Sequence, residues 1–275
     1  MQSQPTRTRY RLGFLGAGKL AGSVIRGLVR SKFCAPDQII AGEPNDQARA
    51  VLQNEVGIRA SADNTEVAEQ AEILFLGVKP AIVLPVLRAV GAAATDKLII
   101  SLAAGVRLQS MEAVSSARLM RAMTNTPSAI GRAATALARG SRSSPADFEA
   151  AKQIFGAIGA VVEVTEDQID AVTALSGSGP AFVYTVIEAL ADGGVKMGLS
   201  PDVALILATQ TVLGASQLAT ETKLSPEELR KMVVTPGGTT AAGLAAMEEL
   251  GTSHGLIAAV EAATKRGQEM AAENQ

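Results

Sequence analysis

Near the C-terminus the string Thr235-Pro236-Gly237-Gly238-Thr239-Thr240 interrupts an alanine-rich stretch. Glycine costs about 1 kcal/mol and proline about 3 kcal/mol relative to alanine inside a helix, so a helix is expected to break here. Gly237 and Gly238 can turn successive N–H groups into one concavity, which suits an anion. Thr239 and Thr240 then open a new helix whose N-terminus also favours negative charge, and the Thr240 hydroxyl adds a donor and an acceptor. No Cys, His or Lys lies between Met232 and Leu244. The chemistry this predicts depends on holding a small acid in position rather than on a titrating side chain. The plainer alternative is a helix–helix corner capped by threonine. The single histidine, His254, lies apart from the string and reads as a helix-start or surface residue.

A second constellation lies near the start. Residues 13–21, Gly-Phe-Leu-Gly-Ala-Gly-Lys-Leu-Ala, carry G-x-G-x-x-A at Gly16, Gly18 and Ala21, between a β-rich run and a helical one. In that context Gly16 makes a tight turn, Gly18 lets backbone approach a pyrophosphate, and Ala21 lets helix and strand pack closely. Ala17, Lys19 and Leu20 complete the loop. Glu43 follows the second strand candidate, where a carboxylate can accept from both adenosine ribose hydroxyls and repel a 2′-phosphate. That predicts NADH over NADPH, softened by the nearby Asn45 and Arg49; the alternative is a solvated turn glutamate. Val78, Lys79 and Pro80 end another strand candidate, and Leu102, Ala103 and Ala104 a further one. Such edges are where doubly wound sheets hold ligands. Lys79 reads either as a surface lysine or as a charge near the dinucleotide.

These residues need a frame. Short β-rich runs at 9–16, 38–42, 73–78, 97–103, 117–123, 134–140 and 160–164 alternate with helical stretches at 18–31, 46–55, 81–91 and 146–156. That alternation predicts right-handed crossovers and a doubly wound, mainly parallel sheet over residues 1–165. From Glu166 the β signal vanishes and residues 166–275 read as helices, punctuated at Ser200-Pro201 and Ser225-Pro226. Their nearly all-apolar faces predict burial against a second copy, the alternative being a compact bundle. Glu166 itself either reaches the dinucleotide or caps its helix. Ala-Leu-Ser-Gly-Ser-Gly-Pro-Ala-Phe (174–182) is a second break, with Ser176 and Ser178 between small residues. It either brings backbone close to a nicotinamide or kinks a long helix. Asn125 follows the fifth strand candidate, where its amide can meet substrate or nicotinamide.

Composition narrows the class. Hydrophobic residues make up 47% of the 275 and aromatics 3%, which predicts a small-residue aliphatic core and excludes wholesale disorder. A net charge of −2 argues against a nucleic-acid partner. One cysteine, Cys34, excludes an intrachain disulfide and a cysteine-cluster metal site, and fits a reducing cytoplasm. The basic start ahead of a short apolar run turns at once into the glycine fingerprint, so it is not read as a signal peptide. No stretch is expected to approach the roughly 20 apolar residues of a membrane span, with 71–90 coming nearest.

Seven strings in order, GFLGAGKLA, LFLGVKP, SLAAGV, RAMTNTP, DAVTALSGSGPAF, ALADGGVKMGL and VVTPGGTTAAGL, closely resemble the pyrroline-5-carboxylate reductase family. The resemblance runs from about Leu12 to about Met270. It implies a Rossmann-like doubly wound sheet followed by an all-helical dimerisation domain, with dimers that associate further, often into decamers. The implied reaction is reduction of 1-pyrroline-5-carboxylate to L-proline by NADPH or NADH. By resemblance the dinucleotide meets Gly16, Ala17, Gly18, Lys19, Leu20, Ala21, the Glu43 position, Asn64, Val78, Lys79, Pro80, Leu102, Ala103 and Ala104. Substrate meets Thr239 and Thr240, near Asn125 and the turn holding Ser176. The family often carries serine or another small polar residue where Glu43 stands, which again favours NADH here.

A protonated cyclic imine is already a strong electrophile, so holding ring and nicotinamide face to face supplies much of the catalysis. The substrate carboxylate suits the nest at Gly237 and Gly238, and the Thr240 hydroxyl can reach the ring nitrogen to polarise it or relay a proton. A β-hydroxyacid dehydrogenase is the first rival. It needs a lysine base after a similar glycine turn, where Val183 stands here, and Lys196 lacks the partner asparagine because Ser200 follows. A dinucleotide-binding assembly protein without catalysis is the second, and it has no evident need of the Gly-Gly-Thr-Thr nest.

Overall fold

The parallel strands β1 (Tyr10–Leu15) and β4 (Ala71–Leu76) form the centre of the sheet, in a computed structural model that describes residues 9–274. On one side of β1 lie β2 (Ile39–Gly42) and β3 (Arg59–Ser61). On the far side of β4 come β5 (Leu98–Ser101), β6 (Arg118–Met123), β7 (Ala133–Arg139) and β8 (Gly159–Glu163). Strand order is therefore β3-β2-β1-β4-β5-β6-β7-β8, and all pairs are parallel except β6–β7. The connection 124–132 explains that exception, since a parallel crossover needs roughly a dozen residues or more. The chain reverses direction across the sheet between β1 and β4, and this is the topological switch point.

Side chains alternate across the strands and feed two cores. Leu12, Phe14, Phe75, Ile100 and Met120 pack on one face with α1 (Lys19–Arg30) and α6 (Pro145–Gly156). The Phe14 and Phe75 rings stack at 4.6 Å, and Phe155 of α6 meets Phe75 edge-on at 5.9 Å. Leu15, Ile40, Leu74, Leu76 and Ile99 pack on the other face with α3 (Asn64–Gln70) and α4 (Val83–Val90). Helix α1 buries Ala21, Val24, Ile25 and Leu28, an i, i+3, i+4, i+7 stripe that fixes its face to the sheet. Helix α6 starts at a capping box between Ser144 and Asp147.

All seven expected strands form. Strand β3, helix α3 and the short helix α5 (Leu108–Glu112) are additions that the sequence pattern did not announce. Helix α2 (Asp46–Val51) continues as a π-helical turn over Leu52–Val56. After β8 come α7 (Ile169–Val172), α8 (Gly179–Lys196), α9 (Pro201–Thr222), α10 (Pro226–Val233), α11 (Thr239–Glu249) and α12 (Thr252–Glu273). Both Ser-Pro signals open helices. His254 lies exposed in the first turn of α12.

The chain makes two compact units. One runs to Ser178 and takes in the chain from Glu261 onward; the other is Gly179–Val260. The expected boundary at 166 falls inside the first. Within the second unit only a small cluster of Ala191, Ala204 and Ala208 with Ile187 is closed off. Ile206, Met232, Val233 and Leu250 are among many apolar side chains left exposed, the last at 83%. One expectation needs correction. Helix Pro201–Thr222 is long and apolar enough by composition to cross a membrane, although a single such helix is weak evidence of one. Its Thr, Gln and Ser residues break up every apolar run, yet Ala, Val, Leu and Ile keep its mean hydropathy high. The 71–90 stretch is instead β4, a short turn and α4, with β4 feeding both cores and α4 burying one face.

Candidate active site

Where β1 ends, Gly16 takes φ +89°, and a Cβ there would lie 2.5 Å from Val78 Cγ1. That is the backbone freedom and the close approach for which glycine is needed. Gly18 then precedes α1 with no side-chain cap, and the first helical bond runs from the Gly22 N–H to the Gly18 carbonyl at 2.8 Å. The N–H groups of Lys19, Leu20 and Ala21 therefore have no acceptor within the helix, which makes this end fit for a pyrophosphate. Ala21 is 1% exposed and lies against Gly77, whose N–H donates to the Leu15 carbonyl at 2.9 Å.

The segments that follow β4, β5 and β6 surround, with the first turn of α1, a cleft of about 500 Å³. Of the expected residues, Leu20, Val78, Pro80, Leu102, Ala103, Ala104 and Asn125 line it. Gly177 and Ser178, from the break expected at 174–182, join them, as do Gly77, Met123, Thr124, Thr126, Thr173 and Met270, which were not expected in that role. Lys79 is exposed and precedes the short turn at Pro80–Ile82. Residues 173–177 form a π-helical turn, closed by the Ser178 N–H on the Thr173 carbonyl at 2.8 Å. The break expected at 174–182 is this turn, and π-turns recur at functional sites.

Two expected contacts are revised. The Ser176 hydroxyl donates to the Val172 carbonyl at 3.0 Å, and Ser176 borders a separate apolar hollow with Val162 and Leu175. Ser178, two residues on, is the serine that lines the cleft. Glu166 is absent from the cleft lining. Its Oε1 accepts the Leu108 N–H at 2.5 Å and Arg121 Nη1 at 3.2 Å, so its charge is taken up inside the protein. Arg121 is 1% exposed; burial pushes its pKa down, and Glu166 works against that shift. Asn125 lies at the cleft, yet much of its amide is committed: Nδ2 donates to the Ser176 carbonyl at 3.0 Å and Oδ1 accepts the Ala134 N–H at 3.1 Å. It ties β6, β7 and the π-turn together.

At the end of β2 the Glu43 N–H continues the ladder onto the Ser61 carbonyl at 2.9 Å, and Glu43 Oε1 accepts the Asn45 N–H at 3.1 Å. Asn64 opens α3 beside it, so close over Gly42 that a Cβ there would collide with Asn64 Oδ1. That Oδ1 is buried without a partner among the described residues. An orphaned acceptor beside a carboxylate at this edge suits a ribose hydroxyl.

Gly237, Gly238, Thr239 and Thr240 belong to the second unit. The Gly238 N–H donates to the Thr235 carbonyl at 3.0 Å with Gly237 at φ +72°, so Thr235–Gly238 is a turn with Pro236 and Gly237 in its central positions. Gly238 caps α11 without a side-chain bond, and Ala242 is the first residue whose N–H reaches back to its carbonyl, at 3.2 Å. The N–H groups of Thr239, Thr240 and Ala241 thus stand without helical acceptors, the arrangement that suits an anion.

Comparison with known proteins separates an N-terminal match from one that begins at residue 166. Residues 166–270 match the family described as pyrroline-5-carboxylate reductase dimerisation, and residues 11–105 match NADP oxidoreductase coenzyme F420-dependent. A pyrroline-5-carboxylate reductase from Synechocystis is 44% identical, over 94% of this chain and 98% of its own. A Coxiella burnetii pyrroline-5-carboxylate reductase structure superposes with TM-score 0.87 at 32% identity, covering 96% of this chain and 99% of that one. The Plasmodium falciparum pyrroline carboxylate reductase with NADP bound also gives 0.87, at 28% identity over 96% and 99%. The dimerisation match accounts for the bare helices of the second unit, which points to a dimer-based assembly. The full-length relatives decide the classification: this chain belongs to the pyrroline-5-carboxylate reductase family.

Proposed function

We propose that the cleft over β1 and β4 receives NADH and that the turn at 237–240 holds the carboxylate of 1-pyrroline-5-carboxylate, in the family reaction that yields L-proline. The observation that carries the dinucleotide reading is the uncapped start of α1 beside Gly16, Gly77 and Ala21. Phosphate oxygens accept from the free N–H groups, and small residues let the nucleotide lie against the rim. A bound dihydronicotinamide supplies the hydride that the imine carbon needs. The protein's own part is to bind, orient and manage one proton. Gly237 and Gly238 shape the carboxylate nest, the free N–H groups of Thr239 and Thr240 face the anion, and the Thr240 hydroxyl lies within reach of the ring nitrogen. There it polarises the C=N bond or passes on a proton from water. Asn125 ties the strand ends together at the cleft, and Ser178 supplies a hydroxyl at the cleft wall.

Glu43 and Asn64 select the adenosine ribose, and the Glu43 carboxylate disfavours a 2′-phosphate, so NADH is the preferred donor. The lone cysteine fits a cytoplasmic location. Association of dimers up to a decamer is the assembly that the resemblance implies, and sedimentation velocity measures it. Steady-state assays with 1-pyrroline-5-carboxylate, run in parallel with NADH and NADPH and against a panel of 3-hydroxy acids, test the reading. Proline formation with a higher kcat/KM for NADH is expected. Oxidation of a hydroxy acid, or tight nucleotide binding without imine turnover, would transfer the chain to one of the two rival classes.

A further inference from the structure

We infer that choice between the two nicotinamide dinucleotides rests on a latch between Asp46 and Arg49 as well as on Glu43. This deepens the reading that Glu43 faces the adenosine ribose. A 2′-phosphate is tolerated at the end of the second strand when an arginine is free to meet it. Arg49 is the one basic residue in the segment 43–58. Its Nη1 donates to the Glu43 carbonyl at 2.7 Å and the Pro44 carbonyl at 2.9 Å, and its Nη2 pairs with Asp46 Oδ1. The guanidinium is thus folded down onto the same turn that presents Glu43. Its side chain is 20% exposed, against 89% for Asp46.

The consequence is a double exclusion. Glu43 repels the phosphate, and the cation that would compensate is already occupied. Removing Glu43 alone leaves Arg49 latched. Removing the Asp46 charge as well frees Nη2, the charge-assisted contact, while the neutral carbonyl contacts compete weakly with a phosphate. Asp46 therefore acts through Arg49 and is a positioning residue for specificity.

The test is the ratio of kcat/KM for NADPH to that for NADH in Glu43→Ser, Glu43→Ser/Asp46→Asn, and the same pair with Arg49→Leu. Calorimetric binding of 2′,5′-ADP and 5′-AMP gives a second readout that is independent of turnover. Glu43→Ser should raise the ratio about tenfold, Asp46→Asn should raise it about two- to fivefold more, and Arg49→Leu should cancel the second step. The 2′,5′-ADP affinity should follow the same order, while 5′-AMP affinity falls at the Glu43→Ser step, which removes the ribose acceptor, and then stays level across the Asp46 and Arg49 changes. If Asp46→Asn adds nothing, or its gain survives Arg49→Leu, the latch is wrong even where Glu43 acts as proposed. A wild-type enzyme that already prefers NADPH would instead overturn the reading of Glu43 itself.

Discussion

A Cβ placed on Gly77 would lie 2.7 Å from the Cβ of Ala21 and would press on the Gly16 carbonyl oxygen. The two small residues are matched: one ends β4, the other sits in the first turn of α1, and their contact sets the width of the dinucleotide rim. Gly77→Ala should therefore cost about 1–3 kcal/mol of stability through overpacking. It should weaken NADH binding at least tenfold. Thermal melts and fluorescence titration with NADH measure both. Ala21→Gly in the Gly77→Ala background should recover part of the binding, whereas no recovery would place the strain elsewhere.

Thr240→Val removes the hydroxyl and keeps the side-chain volume. Turnover should fall about 10²-fold, within the range for loss of one positioned proton-handling group, while the NADH dissociation constant changes little. Unchanged kcat would remove Thr240 from the chemistry.

Arg121 is buried and Glu166 partly so, with the Asp170 carboxylate also acting on the guanidinium. Glu166→Gln should destabilise the fold by about 1–3 kcal/mol. NADH affinity, measured well below the melting temperature, should stay near wild type, because Glu166 does not line the cleft. A selective loss of NADH affinity with unchanged stability would return Glu166 to the cofactor.

Asp147 predicts the acid limb of stability. Burial works to raise its pKa, but hydrogen bonds from Arg118, the Ser144 N–H and the Ser144 hydroxyl outweigh it and hold the carboxyl below its ordinary value. The folded state therefore binds that proton less readily than the unfolded chain. The stabilisation is complete above the unfolded aspartate pKa of about 3.9 and is lost as pH falls through the folded value. Asp147→Asn should cost about 1 kcal/mol at neutral pH, and the difference from wild type should shrink below pH 4. Urea melts at neutral pH and at pH 3 measure it; a difference that is equal at both would contradict the linkage.

The exposed face of α9 needs a partner surface. Ile206 is 68% exposed, so its replacement by Asp should leave the Rossmann-like unit folded and shift light-scattering mass toward the monomer. An unchanged mass would place the dimer contact elsewhere.

Much of this frame could be read from sequence because its signals are local. The glycine fingerprint, the strand-ending apolar runs and the Ser-Pro helix starts each carry their own steric reason. Strand β3 escaped because Arg59-Ala60-Ser61 is too short to show any period and is held by pairing to β2. The 174–182 break was visible, yet whether Ser176 or Ser178 faces the cleft depends on a π-turn, which alters the helical phase by a residue. Asn125 was found at the right edge, but its partners lie 9 and 51 residues away, beyond any local pattern. Glu166 read as a dinucleotide contact or a helix cap because its buried partner Arg121 sits 45 residues earlier on β6.

The most direct test of the account is a crystal structure of the protein with NADH and L-proline bound. The account predicts the proline carboxylate on the N–H groups of 239–241, the ring nitrogen within hydrogen-bond reach of Thr240 Oγ1, and the adenosine ribose against Glu43. A carboxylate seated anywhere else would contradict it.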